Sequence, residues 1–291
     1  MDPGAGAGLV RTGPGPAGDR PRVRLASVAV RIATWNVNGL RTRLDRVVHW
    51  LDRHDPDVLL LQETKVPDAA FPHLPFEERG LHVAAHGTSA RAGVAVVSRH
   101  PLTDVVVGLA GDADDELADD LGGRLVRATT DGVRVGSAYA PNGRALGTPH
   151  FAAKLRWFDR LADELGREHE GPVPVVLGGD LNVAPEDRDA WDPDLPGLGT
   201  HVGADIRARW AALVALGLTD GLRAAHPDAE QGPFSWWDYR AGAFHRREGL
   251  RIDHVLLDRR LADRVEGGWV DREARKGKGP SDHAPVVVDL A

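Results

Sequence analysis

Cysteine is absent from the 291-residue chain. Its absence excludes disulfide bonds, thiolate nucleophiles and zinc sites built on cysteine, and it suits a reducing compartment. The sequence also lacks any apolar run near the roughly 18 residues that a membrane-spanning helix needs. The N-terminal residues lack the apolar core of a secretory signal. We therefore expect a cytoplasmic protein that does not associate with a membrane.

An excess of positive charge is lacking as well. The chain has 36 Lys and Arg against 43 Asp and Glu, which gives a net charge of −7. Proteins that coat nucleic acid rely on clustered Lys and Arg, so this class is disfavoured. An enzyme acting on nucleic acid is still compatible with the charge, because carboxylates gathered around a divalent cation add negative charge that the cation offsets.

Residues 1–29 differ in composition from the rest of the chain. They are rich in Gly, Pro, Ala and Arg without a period, which predicts a disordered tail. The stretch 13–18 ("GPGPAG") matches a dinucleotide-binding pattern, but its prolines and the lack of a preceding strand exclude that function. No linker interrupts residues 30–291, so we expect them to form one domain.

From Val30 onward, short apolar segments alternate with turns and a few helical segments. Strands are predicted at 30–36, 57–63, 93–99, 124–130, 133–140, 173–180, 251–257 and 284–290. Helices are predicted at 40–54, about 149–169 and about 203–216. Several strands follow one another through short turns, such as Asp131-Gly132, so strict βαβ alternation is absent. The pattern predicts an α/β fold of mixed sheets packed face to face with helices outside.

Polar residues cluster at the ends of the predicted strands. They are Asn36, Asn38, Glu63, Tyr139, Asn142, Asp180, Asn182, Asp253, Asp282 and His283. Taken singly, each has an ordinary explanation as a turn former, a salt-bridge partner or a local cap. Strand ends in layered sheets converge on one edge, however, and converging carboxylates are costly without a cation or a phosphate. Together they predict a site for Mg²⁺ or Mn²⁺.

Such a set of residues suits phosphodiester hydrolysis. A metal neutralises charge on the phosphate, an Asp prepares the attacking water, and polar donors stabilise the reacting oxygens. A histidine held by a carboxylate can serve as a donor to phosphate. A serine hydrolase built on Ser281, Asp282 and His283 is excluded, because adjacent strand residues point to opposite faces and no Gly-x-Ser-x-Gly motif is present.

Six blocks of sequence carry a family resemblance. In chain order they read "ATWNVNGLRTR", "LLLQETKV", "AYAPNG", "LGGDLNVAP", "FSWWDYR…GLRIDHVLL" and "PSDHAPV". This order resembles the exonuclease III family of apurinic/apyrimidinic endonucleases, within the endonuclease/exonuclease/phosphatase superfamily, from about Val30 to Leu290. The resemblance implies a four-layered α/β/β/α sandwich with two packed mixed β-sheets.

The resemblance also implies roles around the metal. Glu63 would be the principal metal ligand, and Asn36 beside it would orient Asp180. Asp180 would activate water, and Asn182 would hold the phosphate. The full set implied for the metal or its immediate surroundings is Asn36, Glu63, Asp180, Asn182, Asp282 and His283.

Further catalytic roles follow from the same resemblance. His283 would contact the scissile phosphate, with Asp253 as its orienting partner. Tyr139 would bind the phosphate or assist the leaving group.

Contacts to DNA are implied outside this centre. Trp236 matches the position that helps to form the pocket for a sugar without its base, while Trp237 is expected to be a core residue. The residues expected to contact DNA are Asn38, Arg124, Asn142, Trp236, Lys276 and Lys278.

The resulting hypothesis is a monomeric, metal-dependent DNA phosphodiesterase of base-excision repair. It would cut double-stranded DNA 5′ to abasic sites, trim blocked 3′ ends and act as a 3′→5′ exonuclease. Residues 184–201 resemble the family only in position, which leaves the balance of these activities open. The alternatives are a superfamily enzyme acting on lipid or inositol phosphates, and a DNA-binding protein without catalysis.

Overall fold

The computed structural model describes residues 29–88 and 90–291. The predicted tail at residues 1–29 therefore lies outside the described residues except for Ala29. The strands are β1 (Val30–Asn36), β2 (Val58–Gln62), β3 (His82–His86), β4 (Val94–Ser98), β5 (Thr103–Val107), β6 (Leu125–Thr130), β7 (Val133–Tyr139), β8 (Val175–Asp180), β9 (Leu218–Asp220), β10 (Trp236–Trp237), β11 (Gly249–Leu250), β12 (Asp253–Asp258), β13 (Val265–Val270) and β14 (Val286–Leu290).

The helices connect these strands. They are α1 (Leu40–His54), α2 (Leu74–Glu77), α3 (Ala118–Leu121), α4 (Pro149–His169), α5 (Gly199–Val202), α6 (Ala204–Ala215), α7 (Gly221–Ala225), α8 (Ala243–Arg246) and α9 (Arg259–Ala262). Short 3₁₀ turns lie at Asp68–Ala70, Asp187–Asp189, Arg240–Gly242 and Arg272–Arg275. None of the described helices is both long and apolar enough to cross a membrane.

Two mixed six-stranded sheets form the centre of the molecule. Their strand orders are β13-β14-β1-β2-β4-β3 and β5-β6-β7-β8-β12-β9. Both are mixed because β1 runs parallel to β2 and β7 parallel to β8, while the other pairs are antiparallel. The strands β10 and β11 form a separate two-stranded ribbon.

Apolar side chains fill the space between the sheets and beneath the helices. The layer between the sheets includes Ile32 and Leu60 from the first and Val176 and Val255 from the second. Helix α1 covers the outer face of the first sheet, and α4 and α6 cover that of the second. Burial of these faces is the main stabilising contribution. The predicted α/β/β/α sandwich is confirmed.

The predicted strands and the three predicted helices are all present. The turn between β6 and β7 has Asp131 and Gly132 at φ 44° and 78°, as a hairpin turn requires. The sequence did not predict β3, β5, β9, β13 or the β10–β11 ribbon. Strand β5 is exposed along its whole length, and β13 contains Gly267-Gly268, so neither has a buried alternating pattern.

Two glycines allow β8 to carry Asp180 into the centre of the molecule. A Cβ at Gly179 would lie 1.9 Å from the carbonyl oxygen of Ala138 on β7. A Cβ at Gly178 would lie 2.5 Å from Cδ1 of Leu60 in the facing sheet. The "LGGD" segment therefore brings the end of β8 close to both neighbours.

Candidate active site

Strand register brings the predicted site residues to one edge of the molecule. Asn36 pairs with Gln62 in the parallel β1–β2 ladder, so Glu63 follows directly beside it. In the second sheet Asp180 pairs with Tyr139 on one side and with Asp253 on the other. The predicted convergence of strand ends is therefore present in both sheets.

Three acidic or imidazole groups meet at this edge. Ligand atoms of Glu63, Asp180 and His283 all lie within 4.8 Å of one another. Nδ2 of Asn36 donates to Oε1 of Glu63 and to Oδ2 of Asp180, both at 2.9 Å. One amide shared by two carboxylates holds them together, and their mutual repulsion favours a cation between them. These oxygen donors fit a hard divalent ion such as Mg²⁺ or Mn²⁺.

His283 is held from behind by a buried carboxylate. Its Nδ1 lies 2.8 Å from Oδ2 of Asp253, and Oγ of Ser235 donates to the same oxygen at 2.6 Å. Oδ1 of Asp253 is buried without a protein partner among the described residues. The other ring nitrogen, Nε2, lies 3.7 Å from Oδ2 of Asp180. The ring is thereby oriented with Nε2 toward Asp180.

Burial and neighbouring charges together shift the pKa values of His283 and Asp180. Burial lowers the pKa of His283, but the negative charges of Asp253 and Asp180 outweigh it and raise the pKa to about 10. Burial also raises the pKa of Asp180 to about 7, with the charges of Asp253 and Glu63 adding to the effect and that of His283 opposing it. These shifts favour an imidazolium at His283 beside a carboxyl group whose pKa lies near 7.

Tyr139 is influenced by two carboxylates, Glu63 and Asp180, and by the cation of Arg124. Burial and the charge of Glu63 raise the pKa of its hydroxyl well above the usual range, so the hydroxyl keeps its proton and can donate. The guanidinium of Arg124 lies over the ring, with Cζ 4.6 Å from the centroid. Arg124 also donates from Nη1 to the carbonyl oxygen of Tyr139 at 3.3 Å. Arg124 thus contacts Tyr139, a contact that the sequence analysis did not predict.

Asn182 belongs to a cluster of amides next to Asp180. Its backbone N–H donates to Oδ1 of Asp180 at 3.0 Å, and its φ of 51° turns the chain directly after β8. Nδ2 of Asn142 donates to Oδ1 of Asn182 at 3.3 Å. Nε2 of His201 lies 3.2 Å from the same Oδ1 and from Nδ2 of Asn142. These groups offer polar contacts beside the acidic group.

The carboxylate of Asp282 hydrogen-bonds to residues next to the three-residue group. Its Oδ1 accepts from Nδ2 of Asn38 at 3.0 Å, and its Oδ2 accepts from Nε1 of Trp236 at 3.1 Å. Nζ of Lys65 lies 2.6 Å from Oδ1 of Asn38 and 2.8 Å from Oε2 of Glu63. Asp282 and Asn38 therefore form a hydrogen-bonded link between the acidic group and Trp236.

Ser281 has a structural role. Its Oγ donates to the carbonyl oxygen of Asn36 at 2.7 Å and accepts from the backbone N–H of His283 at 3.2 Å. These two hydrogen bonds hold the segment that precedes β14 against the end of β1. Its hydroxyl is not paired with the imidazole of His283.

Comparison with known proteins agrees with this geometry. Residues 33–283 match the model of the endonuclease/exonuclease/phosphatase family. The chain is 31% identical to exodeoxyribonuclease III of Haemophilus influenzae over 282 residues, covering 90% of this chain and 100% of that protein. The chain belongs to the endonuclease/exonuclease/phosphatase family. The predicted resemblance to its exonuclease III group is confirmed.

Solved structures in this family have the same fold. A 3′ phosphatase from Neisseria bound to a product DNA hairpin has a TM-score of 0.83 and 39% identity, covering 90% of this chain and 99% of that one. An AP endonuclease from Archaeoglobus fulgidus has a TM-score of 0.81 and 37% identity, covering 89% and 98%. Members of the family are metal-dependent, which agrees with the acidic group described above.

The two adjacent tryptophans have different environments. Trp236 is partly buried, pairs with His283 through an isolated β-bridge and packs on a small apolar cluster with Leu250 and Ile252. Trp237 is fully buried between Phe234 and Ala284. The prediction that Trp237 is a core residue is confirmed. The role of Trp236 in binding a sugar stays a prediction, and its place beside His283 is compatible with it.

The predicted basic DNA contacts lie outside the centre. Lys276 is exposed and pairs with Glu273, with its Nζ 2.6 Å from Oε1. The carbonyl oxygen of Lys278 accepts from Nη2 of Arg46 at 2.7 Å. Their roles toward DNA, like those of Asn38, Asn142 and Arg124, stay predictions.

Several residues of the site were not predicted from the sequence, among them Lys65 and Ser235. His201 lies in the segment 184–201, which resembles the family only in position, and no local pattern indicates its approach to Asn182. Lys154 is buried beside the amide cluster. A signal for Lys154 was available, because it shares the helical spacing of the apolar residues Phe151, Phe158 and Leu161.

Proposed function

We propose that this protein is a metal-dependent DNA phosphodiesterase of base-excision repair. It cuts double-stranded DNA 5′ to abasic sites, leaves a 3′-hydroxyl, and removes blocking groups and nucleotides from 3′ ends. It acts as a monomer with Mg²⁺ or Mn²⁺. The observation that carries the proposal is the meeting of Glu63, Asp180 and His283 within 4.8 Å, with Asp253 behind His283.

The residues of the chain divide the work of hydrolysis. Glu63 and Asp180 would hold the metal, which when bound supplies positive charge to the phosphate oxygens. Asp180 would accept the proton of the attacking water, because its carboxylate lies beside the space that it shares with Glu63 and His283. Asn36 holds both carboxylates in place through its shared amide.

Other side chains of the site donate hydrogen bonds to the phosphate and to the leaving group. Nε2 of His283 points toward Asp180 and donates to a phosphate oxygen, since Asp253 keeps the ring oriented and charged. Asn182 contributes its amide to the phosphate. The hydroxyl of Tyr139 keeps its proton and donates to a phosphate oxygen or the leaving oxygen.

An enzyme restricted to 3′ ends is the second candidate function. A specific observation favours it: two structures at 39% identity are of one Neisseria enzyme, NExo, described in one as a 3′ phosphatase and in the other as a 3′–5′ exonuclease. The AP endonuclease from Archaeoglobus fulgidus is nearly as similar, at 37% identity. The two candidates share the same centre and differ in the DNA structure that reaches it.

One set of cleavage assays separates these possibilities. Purified protein is incubated with a duplex carrying a tetrahydrofuran abasic analogue, a duplex with a 3′-phosphate at a nick, and an undamaged duplex, each with Mg²⁺ or with EDTA. We expect metal-dependent incision at the analogue and release of phosphate from the nick. Release of 3′-phosphate without incision would support the second candidate, and no metal-dependent reaction on any duplex would refute both.

A further inference from the structure

Lys154 is a buried side chain that hydrogen-bonds to three segments of the candidate site. It lies on the apolar face of α4, with no exposed surface. Its Nζ donates to the carbonyl oxygens of Asn182 and Thr200, each at 2.6 Å, and to that of Asn142 at 3.4 Å. The first acceptor follows β8, the second lies in α5 and the third follows β7. A single ammonium therefore links three parts of the chain that are distant in sequence.

Each of these segments carries a polar side chain of the candidate site. The amides of Asn142 and Asn182 are hydrogen-bonded to each other, and His201 follows Thr200 and contacts both amides. The backbone of Asn182 also donates to Asp180. Small movements of these backbone segments would therefore displace the polar groups that border Asp180.

A buried ammonium at this position needs an explanation. Burying a charged group is costly unless it is fully hydrogen-bonded, and three carbonyl acceptors match the three N–H groups of Lys154. Burial lowers its pKa to about 7, and the negative charge of Asp180 opposes that shift. A leucine or methionine would fill the same apolar face of α4 without this cost. The hydrogen bonds to three carbonyl oxygens indicate a role that an apolar side chain cannot perform.

We propose that Lys154 is a positioning residue for the hydrolysis proposed above. Its ammonium fixes the backbone of Asn142, Asn182 and Thr200, so that the two amides and the imidazole of His201 are already arranged when the substrate phosphate arrives. Lys154 acts through these carbonyl groups and not by contact with the substrate. The inference rests on the proposed function, because it assigns these groups to the phosphate.

A double-mutant cycle tests this role. Lys154→Met is measured alone and in an Asn182→Ala background, with Mg²⁺ and the DNA substrate that the wild-type protein cleaves. Alone, it should lower kcat by about 10- to 100-fold and change KM by less than about threefold, because prearranged donors act mainly on the reacting state. In the Asn182→Ala background its further effect should shrink to less than about threefold, because the amide it positions is already gone.

A matched control comes from the same helix. Leu161 is fully buried against the second sheet, in the core layer with Trp157 and Leu177. Leu161→Ala should destabilise the protein without selective loss of kcat, and its effect should be equal in both backgrounds. An equal loss for Lys154→Met in both backgrounds would overturn the proposal, because independent effects are additive.

Hydrogen exchange provides a readout that does not depend on activity. In Lys154→Met, the backbone amides of Ala140, Asn142, Gly143 and residues 180–184 should exchange faster than in the wild-type protein. Leu161→Ala should not accelerate exchange selectively in these segments. Unchanged exchange in these segments would overturn the proposal. If Lys154→Met does not fold, Lys154→Gln is used in the same cycle. An inactive wild-type protein would refute the proposed function, while the exchange result would still decide whether Lys154 fixes the segments.

Discussion

Nδ1 of His283 and Oδ2 of Asp253 lie 2.8 Å apart, with the carboxylate buried and also bonded to Ser235. This pairing orients Nε2 toward Asp180, and the charges of Asp253 and Asp180 outweigh burial and raise the pKa of the imidazole to about 10. Replacing Asp253 by Asn should lower kcat by about 10²- to 10⁴-fold, as for other carboxylates that orient a catalytic histidine. Steady-state kinetics and thermal unfolding together measure this effect.

The same variant has a spectroscopic consequence. Without the charge of Asp253, the pKa of His283 should fall, which NMR titration of the imidazole detects. Asp289→Asn is a suitable control, because Asp289 pairs with Arg31 at the far end of β14. A kcat within threefold of the wild type for Asp253→Asn would contradict the orienting role.

Asp180 and His283 are expected to be indispensable for turnover. Asp180→Asn and His283→Asn should each lower kcat by about 10²- to 10⁴-fold, because one removes the general base and the other a donor to phosphate. Both variants should fold, because Asn is isosteric with Asp and is a polar side chain smaller than His, so neither substitution creates a steric clash. Gel-based cleavage assays with circular dichroism as the folding check measure this. Near-native turnover in either variant would show that the role assigned to that residue is wrong.

Metal binding should depend on pH through Asp180. The folded-state pKa of this carboxyl is raised from 3.8 to about 7 by burial, so its protonated form contributes stability below pH 3.8 that is lost as the pH rises through about 7. Below pH 7 a metal ion must displace this proton, so its affinity should fall about tenfold per pH unit. The Mg²⁺-induced rise in Tm should therefore be larger at pH 8 than at pH 6.

A variant of the neighbouring ligand provides the control for this pH dependence. Glu63→Gln should weaken the Mg²⁺ effect at both pH values, because a carboxylate of the three-residue group is lost. A metal-induced rise in Tm that is the same at pH 6 and pH 8 in the wild-type protein would argue against Asp180 as a ligand.

The close approach at Gly179 predicts a large effect on stability. A Cβ here would lie 1.9 Å from the carbonyl oxygen of Ala138, so β7 and β8 would have to separate. Gly179→Ala should lower the free energy of unfolding by about 1–3 kcal/mol or more, as measured with urea. Gly267→Ala is the control, because a Cβ there would meet no atom within 4 Å. Equal stability of the two variants would contradict the predicted clash.

The sequence predicted the parts of the site that follow from strand periodicity and family motifs. Asp180 and Asp253 end or begin strands whose apolar runs are visible in the sequence, and their pairing is a matter of register. Glu63 and His283 could be placed by the motifs "QE" and "SDH". These residues were predicted because each is tied to a regular element.

The remaining parts depend on contacts that no local pattern encodes. His201 in α5 contacts Asn182 across 19 residues of sequence, and Ser281 bonds to a carbonyl group 245 residues away. Asp282 bonds to Asn38 and Trp236, which its sequence neighbours could not indicate. Such contacts arise from tertiary packing, so the sequence gives the composition of the site more readily than its hydrogen bonds.

The most direct test is the position of a bound metal ion. Crystals of the protein grown with Mn²⁺ should give an anomalous-scattering peak within coordination distance of the Glu63 carboxylate, in the space shared with Asp180 and His283, and Glu63→Gln should lose it. A peak elsewhere with none at Glu63, or no peak at all under conditions in which Mn²⁺ supports DNA cleavage, would contradict the assignment of these three residues to the catalytic centre.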